Sequence, residues 1–263
     1  MEHFIKNQVF RICNLIPNIS SGASILMYHS IGYNRATFTV SLEMFEKQIQ
    51  YIAKHRKVVC VSKLVEMVRN GNGVKGLVSV TIDDAYEDAY THAFPVIKKY
   101  NIPVSIFVPT GLIGRTMTTS KGITFPLLSM EHIQEMKESG LVEFLPHSST
   151  HRELPGLSPQ EVREEIVSST RVIQNLNGVR PLVFVAPRGK HSEDVISILK
   201  DEGYVATLSV KPGLVYKKDS RFLLPRNSIH SVTTMPQFKG YLSHAIVGWC
   251  AIKRFVSRVK NMA

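Results

Sequence analysis

The chain is short of three things: cysteine, long apolar runs, and acid near its end. Its three cysteines, Cys13, Cys60 and Cys250, are odd in number, widely spaced and share no metal-ligand spacing, so neither a disulfide framework nor a zinc ribbon is expected. A reducing compartment fits that usage. No apolar stretch is long enough to span a bilayer, since the best C-terminal run, Tyr241 to Ile252, is short and carries Ser243 and His244. Near the start, Lys6, Asn7, Gln8 and Arg11 interrupt the apolar residues from Phe4 to Ile16, so no signal peptide is expected. These absences predict a cytoplasmic protein. Residues 1–21 and 236–263 read as amphipathic helical extensions of one domain, residues 22–235.

From Ser220 onward there is no aspartate or glutamate against seven lysines and arginines, so much of the net charge of +11 belongs to the tail. The middle of the chain is nearly neutral. Bulk charge therefore gives little reason to expect nucleic acid. In the tail, Phe238, Leu242, Ala245, Ile246, Trp249, Ile252, Val256 and Val259 recur at helical spacing beside Lys253, Arg254, Arg258 and Lys260. Two readings remain open. The stripe packs on the domain or the N-terminal helix, or it lies on the anionic cytoplasmic face of the inner membrane.

What is abundant is buried-strand sequence. Apolar or β-branched runs at Ser24–Tyr28, Lys57–Val61, Leu77–Ile82, Val104–Val108, Val142–Leu145, Leu182–Ala186 and Val205–Ser209 predict about seven parallel strands. Between them, helices are predicted over Leu42–Lys54, Ser62–Asn70, Ala89–Tyr100, Met130–Ser139, Ser158–Leu176 and Glu193–Glu202. The alternation fits a doubly wound α/β sheet or a (β/α) barrel, and both place functional residues where strands end.

At the end of Leu77–Ile82 stand Asp83 and Asp84, two carboxylates that are costly together unless paired or bound to a cation. Asp84 could instead cap a helix beside a solvated Asp83. After Val142–Leu145 comes His147-Ser-Ser-Thr-His151, whose imidazoles meet at one ion if the segment turns; ten histidines make a chance pairing the alternative. Two histidines and one aspartate at strand exits form an N,N,O donor set suited to zinc or a similar ion with positions left for water and substrate. Phe184-Val-Ala-Pro-Arg-Gly189 is either an ordinary loop or a turn presenting the Arg188 N–H to an oxyanion.

Taken in order, these segments resemble the polysaccharide deacetylases of carbohydrate esterase family four. Val80-Thr-Ile-Asp-Asp-Ala-Tyr86 is similar to that family's first motif, His147-Ser-Ser-Thr-His151 to its second, and Ala186-Pro-Arg-Gly189 to its third. Leu26-Met-Tyr-His-Ser-Ile31, Phe45-Glu-Lys-Gln-Ile49 and Leu224-Pro-Arg-Asn227 extend the likeness to members associated with bacterial surface-polysaccharide synthesis. The resemblance implies a distorted (β/α) barrel that removes N-acetyl groups from a glycan. It implies one divalent metal ion, zinc or else cobalt, nickel or manganese, on Asp84, His147 and His151. It further implies Asp83 as catalytic base and a groove formed by Arg188, Pro187 and His29.

Three departures stand out. Ala85 replaces the usual glycine, Val185 occupies the position of an arginine that orients the catalytic aspartate, and the late Leu-His motif that supplies the general acid has no clear counterpart. His230 is the candidate acid in its place, with His29, another histidine or a proton recycled from Asp83 as the others. The competing functions are a barrel that binds glycan or a partner protein without turnover, and an amidohydrolase acting on a non-sugar amide.

Overall fold

The protein was analysed as a computed structural model, which describes residues 2–13 and 22–260. Eight short parallel strands carry the site: β1 (Ser24–Tyr28), β2 (Lys57–Val58), β3 (Leu77–Ile82), β4 (Val104–Val108), β5 (Val142–Pro146), β6 (Val183–Phe184), β7 (Ala206–Thr207) and β8 (Asn227–Ser228). Six of them form one sheet in the order β8-β1-β3-β4-β5, with β2 against the start of β3. β6 and β7 pair separately. A backbone bond from Val185 N to Pro146 O (3.4 Å) links β6 to β5, and a parallel bridge joins Leu208, just beyond β7, to Leu224. The fold is thus α/β, with the predicted strands running side by side.

Every residue of β1, β3 and β4 is buried, which explains why these strands read as continuous apolar runs rather than alternating ones. The helices supply the cover: α1 (Glu2–Cys13), α2 (Leu42–His55), α3 (Val61–Arg69), α4 (Phe94–Tyr100), α5 (Met130–Glu138), α6 (Pro159–Asn177), α7 (Glu193–Asp201), α8 (Met235–Tyr241) and α9 (Ala245–Lys260). Their starts follow ordinary capping chemistry. Ser41 accepts from Met44 N, and Ser158 with Glu161 forms a capping box at α6.

Where one helix was expected over Ala89–Tyr100, a π-helical turn occupies Ala89–Ala93 before α4 begins. Pro95 accounts for the interruption, because it has no N–H to give and its ring crowds the carbonyl four residues back.

The C-terminal stripe likewise divides. α8 ends at Tyr241, and α9 begins afresh at Ala245. Phe238, Tyr241, Leu242, Ile246 and Trp249 are buried. Phe10 from α1 is fully buried among them, edge-on to Tyr241 at 5.9 Å and to Trp249 at 6.2 Å. Gly240 is required here, since a Cβ would fall 2.5 Å from the Phe10 ring. Among the described residues, no helix is long and apolar enough to cross a membrane.

Candidate active site

The parallel sheet brings its strand ends together. Asp83 N donates to Tyr28 O (2.9 Å) and His147 N donates to Val108 O (2.9 Å), so both motifs leave the sheet still held by the neighbouring strand. Around them lies a cavity of about 230 Å³ lined by Met27, His29, Asp83, Asp84, His147, His151, Arg188, Gly189, Val210 and Ser228.

Asp84 is the centre of this cluster. Its Oδ1 lies 3.0 Å from His151 Nε2 and 3.5 Å from His147 Nε2, and one donor atom from each of the three residues falls within 4.8 Å of the others. Burial alone would push the Asp84 carboxyl up. The close approach of His147 and His151, with His29 nearby, overcomes that and holds it well below the usual carboxylate range.

The donor set fits a divalent cation on two observations. His147 Nδ1 is 2.7 Å from Val185 O, so Nδ1–H is the donor to that carbonyl, and Nε2, turned toward Asp84 at 3.5 Å, is the nitrogen that the neutral ring offers to a cation. His151 Nε2 is buried and, despite its approach to Asp84, is not aligned for a hydrogen bond. A cation among the three satisfies all of them.

The backbone here is strained. Asp84 (φ 71°), Ala85 (φ 53°), Ser148 (φ 63°), His151 (φ 62°) and Arg188 (φ 55°) all adopt left-handed conformations, so five of the seven such non-glycine residues described lie in the three motifs. The 148–151 turn is nonetheless well held. Ser148 Oγ accepts from His151 N (3.0 Å), while Gly111 N donates to Ser149 O (2.8 Å) in a contact too close for a side chain.

From α6, buried Glu165 accepts from Ser149 N and Thr150 N through Oε2 (2.8 Å each) and from Thr150 Oγ1 through Oε1 (2.5 Å). Glu165 was missed in the sequence. It stands in phase with Val162, Ile166 and Ile173 on the buried face of α6, and a carboxylate in that phase was the available signal.

Arg226 was also missed in the sequence. Val185 occupies the place of the arginine that the family resemblance sets beside Asp83. Yet Arg226, fully buried at the start of β8, donates from Nη1 to Asp83 Oδ1 at 2.7 Å and from Nε to Ser209 O at 3.0 Å. Its guanidinium also lies 5.8 Å over the Phe107 ring. Val185 contributes its carbonyl instead.

The remaining expectations separate. His29 lines the cavity, its Nδ1 buried without a hydrogen-bond partner and its ring 5.6 Å from Phe38. His230 is not among the residues lining the cavity: it is exposed beyond the end of β8, and its N–H is bonded to Thr233 Oγ1. Arg188 lines the cavity mouth, where its side chain bonds Glu153 Oε1 at 2.9 Å. Pro187 is buried and does not line the cavity, where Gly189 takes the position expected of it.

A family model described as polysaccharide deacetylase matches residues 70–207, more than half of the chain, and spans all three motifs. The chain belongs to the polysaccharide deacetylase family. It is 25% identical over 220 residues to the Bacillus subtilis (strain 168) protein YxkH, covering 83% of this chain and 75% of that one. It is 24% identical over 200 residues to the poly-β-1,6-N-acetyl-D-glucosamine N-deacetylase of Staphylococcus aureus (strain MRSA252), covering 72% and 67%. IcaB from Ammonifex degensii superposes with a TM-score of 0.74 at 25% identity, over 84% of this chain and 97% of that one. The deacetylase PplD from Streptococcus pyogenes, solved with acetate, shares the fold with a TM-score of 0.75 over 85% and 99%, at 21% identity. As a polysaccharide deacetylase the chain is a hydrolase of a non-peptide carbon–nitrogen bond.

Proposed function

We propose that this deacetylase removes the N-acetyl group from an N-acetylated hexosamine within a glycan, releasing acetate and leaving a free amine, with Asp83 as base and a divalent ion held by Asp84, His147 and His151. The cavity in which Asp83 and the Asp84–His147–His151 set converge carries this reading. N-acetylglucosamine polymers are the substrates to try first, because a relative is named for acting on one. Zinc is the ion expected, with cobalt, nickel or manganese as substitutes. When bound, such an ion supplies Lewis-acid polarisation of the acetyl carbonyl and acidifies water.

The chain's own residues account for the proton traffic. Arg226 engages Asp83 Oδ1, which leaves Oδ2 to take the proton from an attacking water. The Arg188 N–H, turned by the left-handed backbone at the cavity mouth, is assigned to the developing oxyanion. As the C–N bond breaks, the amine nitrogen needs a proton. His29 is assigned that role in place of His230, since it is the cavity-lining histidine outside the Asp84 cluster.

Acetate release from β-1,6-linked N-acetylglucosamine oligomers and from lipid-linked saccharides, after chelation and after metal add-back, tests the proposal. Metal-dependent acetate supports it. Glycan binding without acetate from the metal-loaded protein overturns it in favour of a non-hydrolytic barrel, and release of ammonia or another acid from a non-sugar amide overturns it in favour of a different amidohydrolase.

A further inference from the structure

Helix α9 is inside out along its second half. Ile246 and Trp249 are buried, but every described residue from Ala251 to Arg258 is exposed. Three of these are large and apolar: Ile252 is 48% exposed, Phe255 68% and Val256 46%. At about 100° per residue they share one face, which Val259 continues in the sequence.

The opposite face carries Val247, Cys250 and Arg254, which with Lys253 line a groove of about 550 Å³ against Lys211, Pro212, Leu214 and Pro225. A surface helix of a soluble domain normally turns its apolar stripe to the body and its charges to water. Here cations line the inner groove and the apolar ridge points away.

We propose that this outward ridge is a docking surface for an anionic phospholipid membrane. The ridge enters the headgroup and acyl boundary. Lys253 on one side of it and Arg258 on the other meet lipid phosphates, with Lys260 continuing the basic pattern in the sequence. Charge selects this occupant, since no aspartate or glutamate follows Asp219 and no carboxylate lines the groove behind the helix. A second copy of the chain is disfavoured by size: three or four side chains fall far short of the roughly 800 Å² per partner of a stable interface. The surface is independent of the chemistry assigned to Asp84, and its failure leaves that assignment untouched.

The test is cosedimentation of the full chain with vesicles of phosphatidylcholine alone or mixed with phosphatidylglycerol. Binding to the mixed vesicles, weakened by salt, is expected, together with a loss of at least about tenfold in the triple variant Ile252→Ser, Phe255→Ser, Val256→Ser. Those residues are exposed, so melting temperature and acetate release should be unchanged in the variant. No binding to either vesicle, undiminished binding by the variant, or a concentration-dependent dimer that the variant abolishes overturns the proposal.

Discussion

Arg226 Nη1 donates to Asp83 Oδ1 across 2.7 Å, and both side chains are buried. The pair spans 143 residues of sequence and joins the start of β8 to the end of β3. A guanidinium from one strand thus holds in place the carboxylate assigned as base on another. Removing Arg226 alone strands a buried charge, which costs about 3–5 kcal/mol. Arg226→Met should therefore lower the unfolding free energy obtained from urea titration by that amount and abolish turnover. Asp83→Asn combined with Arg226→Met should cost clearly less than the sum of the two single changes. Additive losses would show that the pair is not coupled.

Base and ligand should separate cleanly. Asp83→Asn is expected to keep metal binding, followed by titration calorimetry, while turnover falls by at least about 10²–10⁴. Asp84→Asn and His147→Ala should weaken metal binding itself. Equal metal loss in the Asp83 and Asp84 variants would contradict the division of roles.

Glu165 is not among the residues that line the cavity, yet it holds the turn that bears both histidines. Glu165→Ala leaves the Ser149 and Thr150 N–H groups without an acceptor, a loss of about 1–3 kcal/mol for each. Metal affinity should fall by roughly 10–100-fold, as when other residues that orient ligands are removed. Glu165→Gln retains acceptor oxygen and should recover part of both. Unchanged metal affinity in the alanine variant would reduce Glu165 to a helix residue.

Asp88 sets a pH dependence apart from the proposed chemistry. Burial raises its carboxyl to about 6, against the lowering effect of hydrogen bonds from Ser30 and from the backbone of Ile31. Between its ordinary value of 3.8 and about 6 the folded form binds more protons than the unfolded one. The associated stability is full below that window and is lost as pH rises through it. Asp88→Asn removes the charge, so its stability relative to the parent should climb across the same window and level off above it. A flat difference in urea midpoints from acid to neutral pH would refute this.

Strand after strand was legible because burial on both faces leaves a contiguous β-branched run, as in Leu77–Ile82 and Val104–Val108. The aspartate and histidine motifs were legible for a related reason: polar residues directly after such runs must sit at strand exits. β8 was not, being two polar residues long and anchored by a neighbour, β1, distant in sequence. The role of Arg226 was hidden by the same distance, although Leu224-Pro-Arg-Asn227 is itself part of the family likeness. His230 misled because chain position says nothing about where a strand stops: Ile229 still pairs with Met27, and the next residue already faces solvent. The tail's division into α8 and α9 was equally unreadable, since Phe10, which fills the space above Gly240, lies at the other end of the chain.

That last contact carries a cost in time. Lys6 and Tyr241, hydrogen-bonded at 2.7 Å, are separated by 235 residues. At a synthesis rate of about 5–20 residues per second, α1 has left the ribosome for about 10–50 s before α8 exists to receive it. Throughout that interval Phe10 has no seat. Although α1 precedes every other described helix in the chain, it is thus among the last to dock, and its seat forms only once α8 has been made.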